Sequence, residues 1–335
     1  MRVLVTGATG FLGRRVVAEF LRRGHTVRVL VRPFSPLNNI EWAHEVEAYR
    51  ADLRSAGELT DAFDGVDALV HLAAAVKGDE DTMFLTNVVG TERLLEAMAA
   101  SKTRRLILAS SFSVYAWSEI QGLLEEGAPI EQAPRLYERD SYAIAKVWQE
   151  RTTRRLAQRY EWSLTVLRPG FIWGRGGEYF AALGCKVGLI HLVIGPATRI
   201  PLIHVDNCAD LFVTVTECPN SGEETFNAID NNDIRIWKHL GEHLKLSARG
   251  GFRLPVPYRV ALALTWLSYG VNQLLFKGNA KLPSILVPCR FQARFKPLRF
   301  SNRKAREVLG WIPPWSYEEC LRRTYHDAPF PNHRH

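Results

Sequence analysis

Cysteine is scarce in this chain of 335 residues: five occur (Cys185, Cys208, Cys218, Cys289 and Cys320), an odd number with no Cys-x-x-Cys pair. That spacing argues against a disulfide framework and against a metal site, and leaves reduced, buried thiols in a cytoplasmic protein as the expectation. An aromatic-plus-basic repeat is also missing, so the net charge of +8 does not call for nucleic acid. A phosphate-bearing cofactor needs cations too. The amino terminus lacks a signal-peptide core, because the apolar run Val3–Val5 is too short and is needed as a strand. Long hydrophobic runs are few. The nearest to a membrane span is 260–276, and Asn272 and Gln273, with Arg259 and Lys277 at its ends, speak against crossing a bilayer.

What is present begins at once. Residues 1–13 read Met-Arg-Val-Leu-Val-Thr-Gly-Ala-Thr-Gly-Phe-Leu-Gly, and apolar residues at helical spacing follow at Val16-Val17 and Phe20-Leu21. A buried strand, a glycine turn and a helix start offer backbone N–H groups and a helix N-terminus to a dinucleotide pyrophosphate. Gly7 is expected to make the sharp turn, Gly10 to let backbone approach the phosphates, and Gly13 to let helix and strand pack closely. Thr9, Phe11 and Leu12 complete the cofactor-binding candidates of this loop.

Apolar strands alternate with helical stretches through the first half. Strands are expected at 2–6, 26–31, 67–72, 104–110 and 163–168, with helices near 11–23, 55–63, 81–101 and 141–160. That rhythm predicts an α/β protein with a Rossmann-type, doubly wound parallel sheet. After Arg168-Pro169-Gly170 it breaks, and helices are expected near 206–218, 233–246, 256–276 and 316–326. The division that follows is a dinucleotide-binding domain over 1–170, with 200–230 returning to it through a strand at 224–229. A smaller substrate-binding region would combine 171–199 and 231–330.

Candidate chemistry lies at Ser141-Tyr142-Ala-Ile-Ala-Lys146, where a helix would put Tyr142 and Lys146 on one face a turn apart. An ammonium beside a phenol favours phenolate and lowers its pKa, which suits a proton donor or acceptor at a reacting carbonyl. Ala109-Ser110-Ser111-Phe112-Ser113 follows the strand at 104–109, and hydroxyls at the carboxyl end of a parallel strand face the ligand crevice. Ser111 is the candidate for steadying the substrate oxygen; Ser110 and Ser113 suit turn and cap roles. Phe112, Trp117, Phe171, Trp173 and Tyr179 are expected around the site.

These motifs run in one order along the chain. The Gly-x-x-Gly-x-x-Gly start, Asp52-Leu53, His71-Leu-Ala-Ala-Ala75, Asn87-x-x-Gly-Thr91, the serine pair, Tyr142/Lys146, Arg168-Pro169-Gly170 and His204-Val-Asp206 are followed by a closing Lys304-Ala-Arg-Glu-Val-Leu-Gly-Trp311. Jointly they resemble an extended short-chain dehydrogenase/reductase over essentially the whole chain. The resemblance implies a nicotinamide dinucleotide and a catalytic set of Ser111, Tyr142 and Lys146, with Lys146 also holding the nicotinamide ribose. By the same resemblance Asn87 supports the active-site helix and proton path, and Asp52 and Leu53 border the adenine. Leu72, Ala73 and Ala74 lie along the cofactor, with Pro169 and Gly170 also touching it. A homodimer packed through the helices near 81–101 and 141–160 is implied as well.

The second strand ends Val31-Arg32-Pro33 with no acid, and Arg32 stands where a ribose 2′-phosphate would be met, so NADP(H) is expected over NAD(H). Phe112-Ser113 follows Ser111 where dehydratases of this group carry Asp-Glu, and Phe171 stands where nucleotide-sugar enzymes carry Asn. Arg294-Phe-Lys-Pro297 replaces their Arg-x-Gly-Asp. These departures favour a substrate without a nucleotide handle, and so a reductase or dehydrogenase similar to 3β-hydroxysteroid dehydrogenases and dihydroflavonol reductases. The aromatic residues expected around the site, with the apolar helix at 260–276, point to a sterol-like, isoprenoid or acyl ketone or alcohol. The alternatives are a nucleotide-sugar epimerase with tightly held NAD, and a dinucleotide-binding protein without catalysis. The segment 260–276 reads as a buried or half-buried helix, or as an apolar surface helix. With seven Lys or Arg and no acid over 290–306, the second option makes 256–306 a candidate peripheral membrane contact.

Overall fold

The computed structural model describes residues 1–55, 59–231, 233–247 and 251–326. Seven parallel strands form the main sheet: β1 (Arg2–Thr6), β2 (Thr26–Val31), β3 (Glu47–Arg50), β4 (Ala68–His71), β5 (Arg105–Ala109), β6 (Ser163–Pro169) and β7 (Thr225–Ala228). Their spatial order is β7-β6-β5-β4-β1-β2-β3. Strand order reverses between β1 and β4, and the crevice beyond the carboxyl ends of those two strands is where such sheets take ligands. Val3, Leu4 and Val5 of β1 and Leu69 and Val70 of β4 are fully buried, as strands covered by helices on both faces must be.

The helices used below are α1 (Phe11–Arg22), α2 (Gly90–Ala99), α3 (Ser141–Arg159), α4 (Val205–Glu217), α5 (Ile236–Leu246), α6 (Tyr258–Phe276) and α7 (Pro288–Phe295). α1 packs on α4 across one face of the sheet, burying Val16, Val17 and Phe20 against Leu211, Phe212 and Val215. On the other face Leu94, Leu95 and Met98 of α2 join Leu156 of α3 over Leu69 and Leu106.

Several elements differ from the sequence reading. The helix expected at 55–63 is a single 3-10 turn, Thr60–Phe63, within the described residues; 56–58 lie outside them. Arg28 reaches in from β2 and donates to the carbonyls of Asp61, Ala62 and Asp64, while the Asp64 amide closes the turn on the Asp61 carbonyl. The helix expected at 81–101 is interrupted by a π turn, Leu85–Val89, and Asn87 on that turn is fully buried. β3 was not expected, because its residues are half-buried or exposed and carry little apolar signal. The helix at 256–276 exists as α6, yet only Ala261, Thr265 and Asn272 are buried, so it is a surface helix rather than a buried one.

The second half adds a three-stranded sheet of Cys185–Val187, Ile190–Ile194 and Phe252–Val256, followed directly by α6. All five cysteines are free. No helix among the described residues is long and apolar enough to cross a membrane.

Candidate active site

A cavity of about 630 Å³ opens at the carboxyl ends of β1 and β4. Its near end is the first βα turn. Gly7 has φ +71°, and a Cβ there would sit 2.7 Å from the Ala73 nitrogen; a Cβ on Gly13 would sit 2.0 Å from the Gly7 carbonyl. Both positions therefore admit only glycine: Gly7 for its left-handed backbone and its contact with the loop after β4, Gly13 for close helix–strand packing. Gly10 stands at the N-cap of α1 without a side-chain cap, and no acid occupies the helix's first turn. That end of α1 is suited to an anion.

Thr9, Gly10, Phe11, Leu12, Arg32, Asp52, Leu53, Leu72, Ala73, Ala74, Pro169 and Gly170 line this cavity, together with Ser111, Tyr142 and Lys146. Asn87 does not. Its side chain clamps the backbone of Ala75 instead, accepting from the amide at 2.7 Å and donating to the carbonyl at 3.0 Å. Asn87 thus shapes the loop that forms one wall of the cavity.

Tyr142 begins the second residue of α3, whose N-cap Asp140 accepts from the Ala143 amide. Burial pushes the Tyr142 phenol up to about 12, against a hydrogen bond from Ser111 that acts to lower it. The expected lowering by Lys146 is not seen. The Lys146 ammonium lies 5.9 Å from the Tyr142 ring centre and is drawn away to the Ala109 carbonyl (2.9 Å) and Gln149 Oε1 (2.7 Å). Burial pushes Lys146 down to about 7, with the Glu150 carboxylate opposing.

Two of the serines have local partners of their own. Ser111 itself caps the 3-10 turn Phe112–Val114, accepting from the Ser113 amide at 3.1 Å. Ser110 donates at 2.6 Å to Glu150, which is ion-paired with Arg168 beneath the site. Of the aromatic residues expected around the site, none lines this cavity. Phe112 and Trp117 pack with Tyr115 and Phe300, and Trp173 is fully buried against His204, His239 and Tyr317. Phe171 stacks on Phe180, and Tyr179 lies beside His243. Trp173, with Phe171 against it, belongs to a cluster formed by the chain after β6, and Phe112 and Trp117 belong to another with Tyr115 and Leu298.

The sequence model of the NAD dependent epimerase/dehydratase family matches residues 3–228. The chain belongs to that family. A 3 beta-hydroxysteroid dehydrogenase/Delta 5-->4-isomerase of Mycobacterium tuberculosis is 30% identical over 96% of this chain and 88% of its own. A 2-alkyl-3-oxoalkanoate reductase of Stenotrophomonas maltophilia is 28% identical over 96% and 98%. Among solved structures, a UDP-glucose 4-epimerase of Thermotoga maritima superposes with a TM-score of 0.72 at 20% identity, covering 97% of both chains, which is a likeness of fold.

This family's cofactor is a nicotinamide dinucleotide, and the cavity fits one. It runs from the glycine turn, where backbone and helix end suit a pyrophosphate, past a mostly apolar wall of Leu53, Leu72 to Val76 and Ile172. It ends at the hydroxyls of Ser111 and Tyr142. Arg32, Ser35 and Arg54 lie toward its other end, where Asp52 takes up Arg54 in a 2.7 Å ion pair.

The sequence reading missed a buried polar chain behind Lys146. Gln149 accepts from the Lys146 ammonium and donates to Thr91 Oγ1 at 2.8 Å; Thr91 meets His71 Nε2 at 2.8 Å, and His71 Nδ1 meets Thr6 Oγ1 at 2.7 Å. Burial, assisted by the Lys146 charge, pushes His71 down to about 3, so it is neutral. Thr6 in turn accepts from the Ala73 amide. Gln149 was findable, since three residues on from Lys146 is the same helical face. His71 required knowing that β1 and β4 are neighbours in register Thr6↔His71.

Proposed function

We propose that this epimerase/dehydratase-family protein transfers a hydride between NADP(H), preferred over NAD(H), and a ketone or secondary alcohol of an apolar substrate. The observation that carries the reading is that Ser111, Tyr142 and Lys146 line one cavity with the glycine turn, Lys146 standing one helical turn from Tyr142. The dinucleotide supplies or takes up the hydride. Tyr142 passes its proton to, or takes one from, the substrate oxygen, and Ser111 hydrogen-bonds that oxygen as charge builds on it. A phenol at about 12 is protonated at neutral pH and so is ready to donate in ketone reduction. Lys146, at about 7, titrates in the working range. Arg32 is exposed at the cavity's other end, free to reach a 2′-phosphate, and no acid closes β2.

Support for an apolar substrate comes from the relatives named for steroid and alkyl-oxoalkanoate substrates, and from the absence of the nucleotide-sugar residues after Ser111 and at Phe171. A second reading, the nucleotide-sugar epimerase, is favoured by a separate cavity of about 490 Å³ bordered by Arg199, Arg299 and Arg306. Arg199 is already ion-paired with Asp233 there. The Tyr142→Phe variant tests the proposal: turnover of ketones with NADPH should fall by about a thousandfold or more while dinucleotide affinity stays near that of the parent. Full activity would refute the mechanism. NAD that resists removal from the purified protein would instead favour the epimerase cycle.

A further inference from the structure

α6 is amphipathic the wrong way round for a water-facing helix. Its buried residues are Ala261, Thr265 and Asn272, small or polar, while Val260, Leu264, Leu267, Val271, Leu274 and Leu275 face outward. Those six recur at helical spacing and form one stripe, and Leu274 and Leu275 are 84% and 74% exposed. The inner face is satisfied without them. Thr265 donates to the Ala261 carbonyl, and Asn272 holds both the amide and the carbonyl of Ala280.

The strand before α6 repeats the inversion. Phe252 and Leu254, 75% and 51% exposed, lie on one face of Phe252–Val256 and pair with Ile190 and Leu192 of the neighbouring strand. Val187, opposite Ile190 on the third strand, extends the same surface. Of the 25 large apolar side chains exposed among the described residues, 13 fall within 187–190 and 252–276. A monomer in water does not keep so concentrated an apolar surface without something to cover it.

Charge indicates what covers it. Residues 251–306 contain eleven Lys or Arg and no Asp or Glu. Exposed Arg259 and Lys277 bracket the stripe, and exposed Lys281 follows it. An apolar face rimmed by cations is complementary to an anionic lipid headgroup layer over acyl chains, and a helix of 19 residues lying flat buries such a stripe at the interface. Another protein would need an acidic rim of its own to match, and a second copy of this surface would meet like charge with like.

We propose that α6 and the Phe252–Val256 sheet form a monotopic dock that seats this protein on anionic membranes. The dock is joined to the site. α7 packs on α6, and its Cys289 and Arg290 donate to the carbonyls of Glu138 and Arg139, just before the Asp140 cap of the Tyr142 helix. The mouth of the site is therefore tied to whatever surface α6 rests on, whichever substrate it takes.

The test is co-sedimentation of the full chain with vesicles of phosphatidylglycerol and phosphatidylcholine, against phosphatidylcholine alone, at low and high salt. Binding to the anionic vesicles that weakens with salt is expected. Leu267→Asp with Leu274→Asp should reduce partitioning about a hundredfold, each leucine being worth about tenfold, with dinucleotide binding kept as the check on folding. Trp266, half-exposed beside the stripe, gives an independent readout: bromine-labelled acyl chains should quench the parent more than Trp266→Phe. The proposal is overturned if the parent ignores anionic vesicles at low salt, or if the double variant binds them equally well. It is overturned too if a dimer that the double variant dissolves accounts for the surface without lipid.

Discussion

Replacing Glu150 by Gln removes one charge from a pair buried under the candidate site. Glu150 and Arg168 are 2% and 3% exposed and meet at 2.6 and 3.2 Å, with Ser110 donating to the same carboxylate at 2.6 Å. Arg154 adds bonds of 2.9 and 3.0 Å but is 40% exposed and so contributes less. Burial alone would raise the Glu150 carboxyl, and the Arg168 guanidinium beside it wins and holds it below its ordinary 4.5. Glutamine keeps the shape and leaves Arg168 buried without its counter-charge, at a cost of about 3–5 kcal/mol. A carboxyl whose pKa is depressed by folding contributes stability that is present above the unfolded value and lost as pH falls through the folded one. The gap in unfolding free energy between parent and variant should therefore be full at neutral pH and should narrow only below about 4.5. Urea unfolding followed by circular dichroism at a series of pH values measures it. A gap under about 1 kcal/mol at neutral pH, or one that does not change on acidification, refutes the reasoning.

Two further substitutions probe the cavity. Arg32→Asp should weaken NADPH about 10- to 100-fold, the worth of a charged hydrogen bond to phosphate, while NADH affinity holds or improves; unchanged NADPH binding in a fluorescence titration sinks the NADP(H) assignment. Gln149→Leu removes the side-chain acceptor of the Lys146 ammonium. Loss of a group that stabilises the charged form lowers the lysine further, so the alkaline limb of dinucleotide binding or turnover should move about one pH unit lower. A superimposable pH profile would leave Gln149 with a packing role only.

The first βα turn was legible because its requirements are local. Gly7 needs a left-handed φ, and Gly13 has no room for a Cβ against the Gly7 carbonyl, so both leave a mark in the residue type itself. The spacing of Tyr142 and Lys146 was legible for the same kind of reason, since four residues is one helical turn. What failed were particular inferences about which side chains meet across space. The phenol was expected to feel the ammonium, but β5 supplies a carbonyl at Ala109 that takes the lysine aside. Phe112, Trp117 and Trp173 looked like substrate walls from their positions in the chain and are core residues instead.

The sequence by itself determined the alternation of strand and helix, the glycine turn, the face shared by Tyr142 and Lys146, and the missing acid after β2. Each is written in a period of a few residues or in a side chain that only one backbone shape accepts. Tertiary structure decided the rest: the pairing of Glu150 with Arg168, the chain from Lys146 to Thr6, and the outward turn of the α6 leucines. A helix period says which residues share a face, but which face meets protein and which meets the surroundings depends on segments far away in sequence. For α6, those segments leave the apolar face open.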